Sequence, residues 1–159
     1  MTLNFSTGEE ELGSSSPLIK VFNYDSPINP EIDHDRLTKW LVEEAREEGF
    51  DIKMLNIIWT SDENLREMSS AYKDADHYTD ILTFDLGDGN KTLAGELYIS
   101  PERVIDNARA YKQTFERELM RVIIHGILHL MGYKDSTPEE KEKMRARENK
   151  ALERFFSSQ

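Results

Sequence analysis

The chain has 159 residues, of which 38% are hydrophobic; that is about 60 side chains, enough for one packed core of ordinary size and too few for two. It contains no cysteine, which excludes a disulfide-stapled scaffold, thiolate zinc sites and a cysteine nucleophile. Thirty-one Asp and Glu against twenty Lys and Arg leave a formal charge of −11, so the long-range field repels nucleic acid and anionic membrane, and a polyanionic substrate has to be held by a metal ion or a small basic rim.

Residues 1 to about 17 read as a flexible polar lead-in, with Gly8-Glu9-Glu10-Glu11 and a serine triplet before Pro17. Residues 18–159 are expected to form one domain. No apolar run approaches the roughly 20 residues that cross a bilayer, and the first residues lack a signal-peptide pattern, so the expected setting is soluble and cytoplasmic.

Leu18 to Tyr24 is rich in β-favouring residues and predicts a first strand, closed by Asp25-Ser26-Pro27. From Asp33 to Glu48, Leu37, Trp40, Leu41 and Ala45 recur at helical spacing, and Gly49 is the stop. Lys53 to Trp59 predicts a second strand. Ser61 then caps a short helix with Asp62 and Glu63 in its first turn and Leu65, Met68 and Tyr72 on one face. Asp80 to Leu86 and Leu93 to Ile99, joined by the turn sequence Gly87-Asp88-Gly89-Asn90, predict an antiparallel hairpin. Ser100-Pro101 opens a helix to about Tyr111, and a new helix runs from Phe115 to Met131. Thr137-Pro138-Glu139-Glu140 is a capping-box pattern that opens a charged final helix with Met144, Leu152 and Phe155 facing inward. The expectation is a small single-domain α+β fold with a mixed four-stranded sheet and about five helices.

Chemistry concentrates between Glu118 and Asp135. The helix is apolar almost all round from Val122 to Met131, which marks it as buried. His125 and His129, four apart, lie one turn apart on one face. Gly132 stands where the helix end needs a left-handed residue, and reversal of the chain there brings Asp135 back toward the two rings. Ligand–x3–ligand–x5–ligand with an intervening glycine matches the spacing of the metzincin zinc motif. Three protein ligands with an open fourth position describe a catalytic rather than a structural site. Zinc peptidases place a glutamate after the first histidine as general base; here that residue is Gly126, which argues against such a peptidase. A helical glycine at this place points either to close approach of another group or to tight packing on the sheet.

The segment His125-Gly-Ile-Leu-His129-Leu-Met-Gly-Tyr-Lys-Asp135 closely resembles H-G-x-L-H-L-x-G-Y-D-H, the signature of the YbeY family of metal-dependent endoribonucleases. Tyr72 to Phe84 resembles the family block Y-R-x-x-D-x-P-T-D-V-L-S-F, and Gly95 to Ser100 its strand G-D-I-x-I-S. The resemblance spans about residues 19–156. It implies hydrolysis of single-stranded RNA, with work in small-subunit ribosomal RNA 3′-end maturation and ribosome quality control. The implied partners are ribosomal RNA and the ribosome or its proteins, with no membrane and no DNA. One divalent metal, Zn2+, is implied at His125, His129 and Asp135, where Asp135 replaces the family's usual histidine; iron(II) also suits two histidines and a carboxylate. Lys73 replaces the family's arginine as the cation that neutralises charge building on the phosphate. His77 either lines the cleft or sits in a loop, and Glu96 is either a partner of a ligand histidine or a carboxylate on the exposed sheet face. His34, at a helix start, reads as a surface histidine. Lys141 to Arg154, six Lys and Arg against three Glu, is either a local positive surface or a solvated helix face. The competing readings are a metal-dependent hydrolase of another phosphoester or a peptide-like bond, and a non-catalytic ribosome assembly factor.

Overall fold

A computed structural model describes residues 17–73 and 79–157; of the lead-in, only Pro17 falls among them. The elements follow the expected order: β1 (Leu18–Asn23), α1 (His34–Glu47), β2 (Asp51–Trp59), α2 (Asp62–Lys73), β3 (Ile81–Asp85), β4 (Thr92–Ile99), α3 (Pro101–Ala110), α4 (Phe115–Leu130) and α5 (Pro138–Ser157). The strands form one mixed sheet ordered β1-β2-β4-β3. Neighbours β1/β2 and β2/β4 are parallel, whereas β3/β4 is the expected antiparallel hairpin. The second strand starts two residues before the expected Lys53, because a bulge between Ile52 and Met54 lets pairing continue to Asp51.

Local chemistry sets the helix limits. Asp33, Ser100 and Thr114 each accept a bond from the third following backbone N–H and cap α1, α3 and α4. At α5 the Thr137 hydroxyl accepts from the Glu140 N–H at 3.1 Å, while the Glu140 carboxylate accepts from the Thr137 N–H at 3.0 Å, the reciprocal capping box. His34 is exposed and holds the start of α1 to β1 through Nε2 and the Ile19 carbonyl, 2.7 Å apart.

One apolar cluster joins the sheet to α1, α4 and α5 and includes Ile19, Leu41, Leu55, Ile57, Leu97, Ile99, Ile123, Ile127 and Leu152. A Cβ on Gly126 would lie 2.8 Å from Ile81 Cδ1 and 2.9 Å from Leu97 Cδ2. Of the two readings of that glycine, packing on the sheet is the one realised. The absent side chain lets α4 settle onto β3 and β4, which fixes the direction in which His125 and His129 project.

Candidate metal centre

Helix α4 ends in a double backbone clasp. Gly132 has φ +104°, its N–H reaches the His129 carbonyl at 3.0 Å, and the Tyr133 N–H reaches the Leu128 carbonyl at 2.9 Å. This is the Schellman pattern, and it needs a residue free to adopt positive φ. The clasp reverses the chain and returns residues 133–135 over the last turn of the helix.

Three side-chain atoms converge there. His125 Nε2 and His129 Nε2 are 3.1 Å apart, and Asp135 Oδ2 lies 3.4 Å from each. The other nitrogen of each ring is engaged: His125 Nδ1 sits 2.6 Å from Glu148 Oε2, and His129 Nδ1 sits 3.1 Å from the Tyr133 carbonyl oxygen. A carboxylate and a carbonyl only accept, so each Nδ1 carries the proton and donates. In the neutral rings both Nε2 atoms therefore present lone pairs to one another and to a carboxylate oxygen. Three acceptors facing one point repel each other unless a cation stands among them. Zinc–nitrogen bonds of 2.0–2.1 Å in a tetrahedron put ligand atoms about 3.3 Å apart, close to the triangle formed here. The donor set thus fits one divalent ion.

Behind the triangle stands a second set of groups. Glu148 is only 1% exposed. Arg121 holds it at 3.3 Å and also pairs with the buried Glu118, so His125 is backed by a hydrogen-bonded carboxylate whose charge is partly balanced. On the other side, the Tyr133 hydroxyl donates to Glu48 Oε2 at 3.2 Å, and Arg147 Nε donates to the same oxygen at 2.7 Å. Burial, with the Glu48 carboxylate adding to it, pushes the Tyr133 phenol above its ordinary range and keeps it a donor. Arg147, 7% exposed, also pairs with Glu44 at 2.8 Å. The turn that carries Asp135 is in this way tied to α1 and α5.

The sequence-predicted residues divide as follows. His125, His129 and Asp135 are brought together. Glu96 is not among the imidazole partners: it accepts from Asn56 Nδ2 at 3.3 Å and from the Tyr98 hydroxyl at 3.1 Å. Its neighbours Gly95 and Leu97 face α4, so strand alternation turns Glu96 to the opposite face of the sheet; of the two readings of Glu96, the carboxylate on the sheet face fits this geometry, and the carboxylate beside His125 is Glu148. Lys73 is the last residue of α2, and nothing is described of its side chain. His77 lies outside the described residues. Of the six cations between Lys141 and Arg154, Arg147, Lys150 and Arg154 pair with Glu44, Glu47 and Glu48 of α1 and its cap. Glu148 was missed. Its signal is its position: a glutamate four residues after Met144 and four before Leu152, inside the apolar stripe of α5, has to meet a buried partner.

The family described as Endoribonuclease YbeY matches residues 21–156. The chain belongs to the YbeY family. Curated proteins named Endoribonuclease YbeY include one from Cytophaga hutchinsonii, 47% identical over 113 residues that make up 71% of this chain and 79% of the relative. Another, from Christiangramia forsetii, is 40% identical over 135 residues, 85% of this chain and 92% of the relative. A solution structure of a Thermotoga maritima protein superposes with a TM-score of 0.61 at 30% identity, covering 89% of this chain and 91% of that one. In this YbeY chain the three converging groups come from the most specific of the three resembling segments.

Proposed function

We propose that this chain is a metal-dependent endoribonuclease that cuts single-stranded RNA, with zinc as its ion. Its place is ribosomal RNA maturation and ribosome quality control, in the cytoplasm and with ribosomal partners. The family supports the RNA substrate. The observation that carries the metal dependence is the triangle of acceptors formed by His125, His129 and Asp135. A divalent ion held there supplies Lewis acidity toward a phosphoryl oxygen and lowers the pKa of water toward roughly 7.

The chain's own residues set up that chemistry. Glu148 and the Tyr133 carbonyl keep the Nδ1 protons in place and aim both Nε2 lone pairs at one point. Asp135 would bring an anionic ligand to the ion and so lower the net charge of the centre relative to one held by three histidines. Lys73 neutralises charge that builds on the phosphate in the transition state. The formal charge of −11 disfavours indiscriminate RNA binding, so choice of RNA falls to ribosomal partners.

Cleavage of a single-stranded RNA by the zinc-loaded chain and by His129→Ala tests this reading. The wild type is expected to cut and the variant to lose at least about a hundredfold in rate, as loss of a catalytic metal requires. Intact RNA with the wild type, under conditions where it binds ribosomes, would replace the enzyme by an assembly factor. Hydrolysis of small phosphodiesters without cleavage of RNA would move the substrate class.

A further inference from the structure

Beside the metal centre lies a basic cleft in an otherwise acidic molecule. Its volume is about 270 Å³, and Tyr111, Gln113, Arg117, Glu118, Arg121 and Arg145 stand on its walls, three guanidiniums against one carboxylate. Arg117 and Arg121 precede His125 and His129 at steps of four residues, so the four side chains form one line along α4. At 1.5 Å per residue, Arg117 stands about 12 Å from His125 along the helix. The cleft and the three converging ligand atoms are thus two parts of one track.

Two of the three guanidiniums on the cleft walls, Arg117 and Arg145, differ from the rest of the basic face. On α5, Arg147, Lys150 and Arg154 are spent on the carboxylates of α1. Arg121 serves Glu118 and Glu148. Arg145, in contrast, has a side chain 62% exposed and only a 3.5 Å contact to Glu148. Arg117 rests on the Phe156 ring, 5.5 Å from its centroid, and has no carboxylate partner among the described residues. Tyr111, 60% exposed, offers a ring at the rim. One guanidinium with no carboxylate partner among the described residues and one exposed and only loosely paired, with an aromatic face beside them, match a nucleic-acid strand, whose phosphates need cations and whose bases stack.

We propose that this cleft is a phosphate subsite for the same RNA strand that is cut at the metal centre, with Arg117 and Arg145 on successive backbone phosphates and Tyr111 under a base. The proposal rests on the endoribonuclease reading and adds to it where the strand runs.

The test is binding of a hydrolysis-resistant phosphorothioate RNA dodecamer to the metal-loaded full chain, followed by fluorescence anisotropy over a range of salt concentrations. Arg117→Gln and Arg145→Gln should each raise Kd by about two- to fivefold, the scale of exposed charge pairs. Together they should flatten the slope of log Kd against log salt by about 1.4, or about 0.7 for each phosphate of a single strand that is no longer neutralised. Arg145→Lys should keep the slope. Metal content and melting temperature are measured alongside, so that damage to Glu148 and His125 is seen separately. Unchanged Kd and slope in the double variant, with a wild type that still cuts RNA, overturns the subsite and leaves the proposed function standing. A wild type that neither binds nor cuts RNA brings down both. Sensitivity to inorganic phosphate that vanishes in the double variant, at unchanged strand affinity, assigns the cleft to a free anion and also overturns the proposal.

Discussion

Glu148 separates the roles of the two histidines more than their shared helix does. His125 gives its Nδ1 proton to a buried carboxylate at 2.6 Å, and His129 gives its own to a neutral backbone carbonyl at 3.1 Å. A carboxylate partner raises the basicity of the ligating nitrogen more than a carbonyl does. Glu148→Gln keeps an acceptor for that proton and removes the charge, so it should weaken metal affinity by about 10- to 100-fold. Chelator competition measures this, and an affinity equal to the wild type would remove Glu148 from the support of the site. The convergence of His125, His129 and Asp135 was legible in the sequence, because an i,i+4 pair and a glycine-reversed carboxylate are local signals. Glu148 was not, since its partner His125 lies 23 residues away and the overall polarity of α5 hides one buried face. The two readings of Glu96 stayed open because alternation along β4 depends on which face meets α4, and that is decided by Gly126 and Leu97 in three dimensions.

Elements were read more surely than their contacts. Caps at Asp33, Ser100 and Thr114 and the capping box at Thr137 are short-range patterns, and the helices start where those patterns stand. The alternatives left open at Gly126 needed the sheet to decide them. Replacement by alanine gains about 1 kcal/mol of helix propensity but places a methyl group within 2.9 Å of two side-chain termini, and overpacking costs about 1–3 kcal/mol. Gly126→Ala should therefore leave the chain less stable by up to about 2 kcal/mol in urea unfolding, and a more stable variant would contradict the packing account. The α1–α5 contact carries a pH signature. Hydrogen bonds from Arg154 and Lys150 hold the Glu47 carboxyl down from 4.5 to about 2. A depressed carboxyl pKa contributes stability that is complete above the ordinary value and is lost as pH falls through the folded one. Between about pH 4.5 and 2 the wild type should lose stability more steeply than Glu47→Gln. Acid-dependent melting curves check this, and parallel curves would count against it.

At the scale of the molecule, one sheet and one core hold a cluster that the chain's own charge does not predict. The mixed sheet follows from element order, since β1-α1-β2 gives a parallel pair and the turn at Gly87 to Asn90 an antiparallel one. The placement of β4 between β2 and β3 is a non-local pairing that no window of sequence contains. Tyr133, Glu48 and Arg147 likewise meet only because α1, α5 and the turn after α4 close on one another. The fold thereby supplies a frame for the reversal after α4, and Asp135 Oδ2 stands 3.4 Å from Nε2 of each ring.

The most direct measurement is the metal content of the wild type and of Asp135→Ala after equilibrium dialysis against zinc, read by elemental analysis. The wild type should retain one ion per chain and the variant should lose it, because the third ligand atom is gone. A wild type that retains no stoichiometric ion, or a variant that retains as much as the wild type, would contradict the claim that these three side chains form the centre.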